Sequence, residues 1–269
     1  MKRKVIRSLL FVPARGKMLE KIATSDADAW IIDLEDSVAQ NEKTDALYTA
    51  VKFLHISPYA ENCFVRIDRR YMDEQIIALK ETSVRGFMIP KVENCDFISE
   101  YRDILDKREI IALVETPLGV VGIESIAKDA GVTALAFGAE DYTAAVNMQN
   151  VEENLISLKS RLVMYAKAYG KFVYDTPSFS INDIAKADAE AEHSASLGFD
   201  GKMAIHPRLI PGVNRAFKMH DIERMRQIVS SYEKQGGAVL VLDGKVYEKM
   251  HIDRFKRIIR ENQGFNLSI

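Results

Sequence analysis

The stretch ALAFGAEDYT, residues 134–143, runs from a short apolar segment through Gly138-Ala139 into two adjacent carboxylates, Glu140 and Asp141. Its first half has the length and composition of a buried strand, and its second half puts charge where that strand ends. Further apolar runs recur at residues 8–12, 30–33, 63–67, 86–89, 110–114, 172–174 and 202–205. They are continuous rather than alternating, as parallel strands covered on both faces should be. Between them lie amphipathic stretches at 42–53, 74–82, 96–105, 155–169 and 183–197, the last with alanines along one side. Eight strands separated by helices predict an α/β fold, a (β/α)8 TIM barrel, with an open doubly wound sheet as the alternative.

The chain changes character after Phe217. A helix over 222–234, a hairpin in AVLVLDGKVY turning at Asp243-Gly244, and a basic helix over 253–260 predict a small C-terminal helical and hairpin lobe. The division expected is 1–217 for the barrel and 218–269 for the lobe.

With 37 basic and 39 acidic residues the net charge is −2, which gives no pull toward nucleic acid or an anionic membrane. No apolar run nears the roughly 18 residues of a membrane span. The start, MKRKVIRSLLFV, is basic and then apolar. Pro13, Arg15 and Lys17 cut it short, so it reads as a strand rather than a leader. Two cysteines, Cys63 and Cys95, with no CxxC spacing point to a reducing cytoplasm and to core thiols. Phosphate-loop, dinucleotide and nucleophile-elbow motifs are absent.

In a barrel the active site collects at the C-terminal ends of the strands. Here those ends read Pro13-Ala14-Arg15, Asp33-Leu34-Glu35-Asp36, Arg66, Pro90-Lys91, Glu115-Thr116, Glu140-Asp141, Asp175-Thr176 and His206-Pro207. Charge on one rim of an apolar barrel is more than solubility asks for. Consecutive strands lie about 4.8 Å apart, so Glu115 and one of Glu140 and Asp141 can point at one place. Two carboxylates that close repel unless a proton or cation lies between them. Mg2+ suits such a pair, because it takes hard oxygen ligands and leaves other positions to water and substrate. The competing reading is that these acids serve the following helices, with Thr116 as cap and Pro117 in the first helical position. Strand alternation lets one member of the Glu140/Asp141 pair face the metal.

RSLLFVPARGKMLEKI, DAWIIDLEDSVAQNEKTDA, FVRID, GFMIPKVE, ALVETPLGVVGIESIA, LAFGAEDYTAAV, LGFDGKMAIHP and LDGKVYEK resemble, in order, the sequence blocks of citrate lyase β-subunit-like proteins. Those are grouped with malyl-CoA and citramalyl-CoA lyases in the HpcH/HpaI aldolase superfamily. The resemblance implies a TIM barrel, Mg2+ as cofactor, and cleavage of a 3-hydroxy-acyl thioester to an acyl thioester and an oxo acid. It places the metal ligands at Glu115 and Asp141 and a substrate-binding and catalytic arginine at Arg66. Glu35 and Asp36 fall near the metal's waters. Arg15 and Lys91 are candidate contacts for anionic parts of the substrate. The family's acid from the C-terminal lobe, which serves a neighbouring subunit, falls on Glu248. A cytoplasmic homo-oligomer, trimer or hexamer, is implied, with an acyl-CoA or acyl-carrier-protein thioester as partner and no nucleic acid or membrane.

Three departures stand out. Glu248 replaces the usual Asp, Asp68 stands where the family commonly has Asn, and the loop from Pro13 to Lys17 is about one residue short. The extra charge at Asp68 is expected to repel an anionic substrate or to help hold the metal. Arg66 is expected to grip the oxo-acid carboxylate with its guanidinium fork, and His206 to be structural. Three functions remain open: an acyl-CoA lyase of citramalyl-CoA or malyl-CoA type, a citryl-thioester lyase subunit of a citrate lyase complex, and a non-catalytic oligomeric acyl-CoA-binding protein.

Overall fold

Every apolar run named above forms a strand, with ends within one residue of those expected. They are β1 (Ser8–Pro13), β2 (Ala29–Asp33), β3 (Cys63–Arg66), β4 (Gly86–Ile89), β5 (Glu109–Val114), β6 (Ala134–Phe137), β7 (Phe172–Asp175) and β8 (Gly201–Ala204). The computed structural model describes residues 6–105, 108–217, 222–237 and 239–262. Neighbours pair in parallel, and β8 returns to pair with β1 through Leu9↔Met203. The barrel is therefore closed, which overturns the open-sheet alternative. Residues 1–5 of the N-terminal strand reading lie outside the described residues.

Strand parity sorts the barrel into two cores. Leu9, Ile31, Phe64, Met88, Ile111, Leu113, Ala136, Tyr174 and Met203 fill the interior. Their alternates, among them Ile32, Val65, Phe87, Val114, Leu135 and Val173, pack outward against the helical layer. Both faces are dry, so the sequence shows continuous apolar runs.

The helices follow their patterns with shifted ends, as in Lys43–Ile56, Met72–Leu79, Glu152–Ala168 and Ile184–Leu197. The last is capped by Asp183, whose side chain accepts from the Lys186 amide at 3.0 Å. The stretch expected as one helix over 96–105 is two, Asp96–Glu100 and Arg102–Leu105, because Tyr101 leaves helical geometry at φ −104°, ψ 21°.

The described residues from 6 to 217 form one compact unit, and those from 222 onward belong to a second. In the second, helices Ile222–Lys234 and Lys249–Asn262 accompany β9 (Val239–Leu242) and β10 (Lys245–Glu248). The turn has positive φ at both Asp243 (50°) and Gly244 (73°), the geometry a two-residue hairpin needs. Ala238, the first residue of the hairpin reading, lies outside the described residues. Leu240, paired with Tyr247, packs on Ile228, Tyr232 and Ile252. The opposite face carries Val239 paired with Glu248 and Val241 paired with Val246, and these valines are exposed. No helix among the described residues is long and apolar enough to cross a membrane.

Candidate active site

The inward parity of β1, β2, β3, β5, β7 and β8 runs, at or just beyond the strand ends, into a cavity of ≈ 670 Å³. Leu9 leads to Phe11 and Pro13, Ile31 to Asp33, Phe64 to Arg66, Leu113 to Glu115, Tyr174 to Thr176 and Met203 to Ile205, and all of these leading residues line it. The apolar interior thus becomes a polar floor within one step along the strands.

Glu115 is 3% exposed and accepts from the Lys91 amide at 2.9 Å. Burial first, and then the charge of Asp141, push its carboxyl up to about 8. Gly138, opposite, makes room. A Cβ there would sit 2.4 Å from Glu115 Oε2 and 2.6 Å from Glu115 Cβ.

Asp141 lines the same cavity, but not by the route the sequence suggests. β6 ends at Phe137, and both Glu140 and Asp141 lie in the first turn of a helix, Ala139–Ala145. Strand alternation therefore does not choose between them. The helix turns Asp141 toward Lys91 Nζ, 3.6 Å away, while Glu140 accepts from Asn150 at 2.7 Å. Thr116 caps its helix as expected, accepting from the Gly119 amide at 3.0 Å with Pro117 behind it.

Arg66 is held by a residue the sequence reading passed over. Asp33 takes both Nε (2.8 Å) and Nη2 (2.7 Å), because Asp33 and Arg66 are register partners on β2 and β3. Nη1 faces Asp36 at 3.1 Å and Glu35 at 3.4 Å, and the guanidinium lies 5.0 Å from the Phe11 ring centre. The fork expected to grip substrate is thus already closed on Asp33. The same Asp33 accepts from the amides of Glu35 (2.9 Å) and Ser37 (3.0 Å), so it also shapes the following loop. Burial pushes its carboxyl up, but Arg66, helped by the Glu35 amide and the Ser37 side chain, holds it below the usual range.

Glu35 is buried, with Oε1 bound to Lys91 Nζ at 2.7 Å and Oε2 without a hydrogen-bond partner. Asp36 is largely exposed. Arg15 is exposed, pairs with Glu42 at 3.1 Å and is not among the cavity-lining residues. Glu248 sits on the exposed hairpin face of the second unit. His206 caps its own turn, accepting from the Arg208 amide at 3.2 Å. Cys63 and Cys95 are free thiols, Cys63 buried.

Two rim acids do other work. Asp68 is 2% exposed and bound to Lys43 (2.9 Å) and Arg70 (2.7 Å). Lys43, also buried, donates to the carbonyls of Leu34 (2.8 Å) and Glu35 (2.5 Å). Asp68 therefore neither lines the cavity nor faces substrate; it neutralises the lysine that fixes the Glu35 loop. Asp175 has outward parity and is buried between Lys202 (2.9 Å), Lys159 (3.3 Å) and Ser194 (2.5 Å). The reading of strand seven's acid as part of the charged rim fails on that parity.

The donor set fits a hard divalent cation. Glu115 and Asp141 share the cavity, burial and the Asp141 charge penalise Glu115 as an anion, and Glu35 Oε2 is a buried oxygen with no hydrogen bond and only the Arg66 charge 3.4 Å away. Among the described residues no group of three His, Cys, Asp or Glu closes round one point; Mg2+ is commonly bound through one or two carboxylates.

The family model for HpcH/HpaI aldolase/citrate lyase matches residues 7–207. The chain belongs to that family. It is 29% identical over 259 residues to a (3S)-malyl-CoA thioesterase of Cereibacter sphaeroides, covering 91% of this chain and 90% of that one. It is 28% identical to the citrate lyase subunit beta of Haemophilus influenzae, covering 95% and 96%. A citrate lyase beta subunit from Mycobacterium tuberculosis, solved complexed with oxaloacetate and magnesium, superposes with a TM-score of 0.71 at 30% identity, covering 80% of this chain and 97% of that one.

Proposed function

We propose that this chain is a Mg2+-dependent carbon–carbon lyase that cleaves a 3-hydroxy-acyl-CoA thioester of malyl-CoA or citramalyl-CoA type to acetyl-CoA and a 2-oxo acid. The observation that carries the reading is Glu115, a carboxylate 3% exposed beside Asp141 on a ≈ 670 Å³ cavity, an arrangement costly without a cation and useful with one. The magnesium and oxaloacetate in the Mycobacterium tuberculosis relative support it.

Glu115 and Asp141 would hold the metal, and the chemistry it supplies when bound is Lewis-acid polarisation of the substrate's hydroxyl or nascent carbonyl oxygen. Arg66 supplies a fixed positive charge for the acid end of the substrate, pre-oriented by Asp33 and Phe11 so that little is lost on binding. Phe11, Leu113, Met203 and Ile205 keep the cavity wall apolar. Cleavage needs the hydroxyl proton removed and a proton returned to the thioester α-carbon, where the electron pair of the broken bond is left. Glu248 is assigned that proton transfer, acting on a neighbouring copy. The exposed Val239, Val241 and Val246 beside it favour burial against a second protein surface. A homo-oligomer in a reducing cytoplasm, trimer or hexamer, is the assembly this reading implies.

Two relatives favour specific alternatives. The Haemophilus influenzae similarity supports a citryl-acyl-carrier-protein lyase subunit, and the Cereibacter sphaeroides one supports thioester hydrolysis. The test offers the purified protein malyl-CoA, citramalyl-CoA and citryl-CoA, with Mg2+ and with chelator. The lyase releases acetyl-CoA with glyoxylate, pyruvate or oxaloacetate; a thioesterase releases free CoA thiol and the intact hydroxy acid. Silence on every CoA ester with turnover of a carrier-protein ester gives the citrate lyase subunit. Silence on all of them refutes the catalytic reading and leaves the acyl-CoA-binding one.

A further inference from the structure

Lys91 touches three acids together, Glu115, Glu35 and Asp141. Its amide donates to Glu115 Oε1 at 2.9 Å, and its ammonium lies 2.7 Å from Glu35 Oε1 and 3.6 Å from Asp141 Oδ2. One residue achieves this because its backbone is left-handed, at φ +52°, a region that non-glycine side chains rarely adopt. Such strain persists where the surroundings hold it. Here the holding contacts include the Glu115 carboxylate and Arg69, which donates to the Lys91 carbonyl at 2.7 Å. The left-handed turn sends the amide to one carboxylate and the side chain to the other two.

We propose that Lys91 is a built-in counter-cation that sets the metal affinity of the site. Its ammonium occupies the Asp141 oxygen region that a divalent ion needs, so metal uptake requires the ammonium to give up Asp141 while keeping Glu35. The two contacts are unequal in the right sense, the short one to Glu35 and the long one to Asp141. Before uptake Lys91 offsets the charges of Glu35 and Asp141; after uptake it is a like charge beside the metal. Affinity is thereby held down, and the site stays open to exchange. The Lys91 side chain is 42% exposed, so it can withdraw without opening the core.

This inference rests on the metal reading of Glu115 and Asp141, and the experiment separates the two. Mn2+ binding is followed by electron paramagnetic resonance, and Mg2+ binding by calorimetry, in the wild type, Lys91→Gly, Lys91→Met and Asp141→Asn. Glycine accepts the positive φ and keeps the amide to Glu115; methionine keeps the bulk without the charge. Both are expected to tighten binding at least tenfold. Unchanged or weaker binding in both Lys91→Gly and Lys91→Met, with wild-type binding lost in Asp141→Asn, overturns the role of Lys91 and leaves the metal site standing. No binding by any of the proteins overturns both.

Discussion

Gly138→Ala probes the site through the space it occupies. The new Cβ would lie 2.4 Å from Glu115 Oε2 and 2.6 Å from Glu115 Cβ, where ordinary contact starts at 3.4 Å. Rotating the carboxylate relieves the first clash but not the second, because Glu115 Cβ moves only with its backbone. That backbone is tied to β6 through Leu113↔Ala136 and Val114↔Phe137, and the Gly138 amide donates to the Val114 carbonyl at 3.1 Å. Glu115 must therefore move by ~1 Å relative to Asp141, a displacement that costs about 100-fold when it misplaces a reacting group. Overpacking of this kind costs about 1–3 kcal/mol, and at about 2–4 °C per kcal/mol for a barrel of this size the melting temperature should fall by several degrees. Steady-state kinetics, metal titration and thermal melts, with Gly16→Ala as the unhindered control, measure all three effects. Wild-type metal affinity and turnover in a folded Gly138→Ala protein would refute the assignment of Glu115 as a ligand.

Asp141→Ala should abolish Mg2+-dependent turnover with the melting temperature within about 1 °C of wild type, since this half-exposed side chain holds little of the fold together; retained turnover removes it from the metal site. Lys43→Met should destabilise by about 3–5 kcal/mol, because it strips a buried ion pair and two carbonyl contacts at once. Chemical denaturation checks that figure, and Asp68→Leu combined with Lys43→Met should recover part of the loss. Asp33 and Asp175 both have carboxyls lowered in the fold. Their stabilisation is present above the unfolded value near 3.8 and is lost as pH falls through the lower folded values. The acid limb of the stability profile should accordingly flatten in Asp33→Asn.

The barrel was legible because dry parallel strands leave continuous apolar runs. The rim was legible because solubility alone does not put charge after one such run after another. What escaped reading depends on register and parity. Nothing local says that Asp33 and Arg66 are partners; the pairing of β2 with β3 decides it. Asp175 and Thr176 are neighbours in sequence, yet one faces the helices and the other the cavity. The helix that carries Asp141 has seven residues, too short for its periodicity to show. Asp68 reads as excess charge until Lys43, 25 positions earlier, is brought beside it by two barrel loops. The hairpin, by contrast, was readable from Asp243-Gly244, since its turn chemistry is local.

Glu115 and Asp175 are both buried carboxylates at strand ends, and the fold treats them oppositely. Asp175 lies between two buried ammonium groups and a hydroxyl, which hold its carboxyl low against burial, so its charge belongs to the resting fold. Glu115 has an amide and the more distant Lys91 charge against burial and two acids, and its carboxyl rises to about 8. A carboxyl raised in the fold from 4.5 to about 8 keeps a proton that the unfolded chain has lost, so metal-free stability should fall as pH rises through that window. Neutral isosteres should therefore have opposite effects. Asp175→Asn should destabilise the protein by the roughly 3–5 kcal/mol typical of breaking a buried pair, and so lower the melting temperature with or without Mg2+. Glu115→Gln should raise the metal-free melting temperature, remove its fall toward pH 8, and abolish the further rise that Mg2+ gives the wild type. Differential scanning calorimetry on the two variants decides the matter. A Glu115→Gln protein that melts below the metal-free wild type at about pH 8 would mean that Glu115 stabilises the resting fold, and the argument that its burial is kept for a cation would fail.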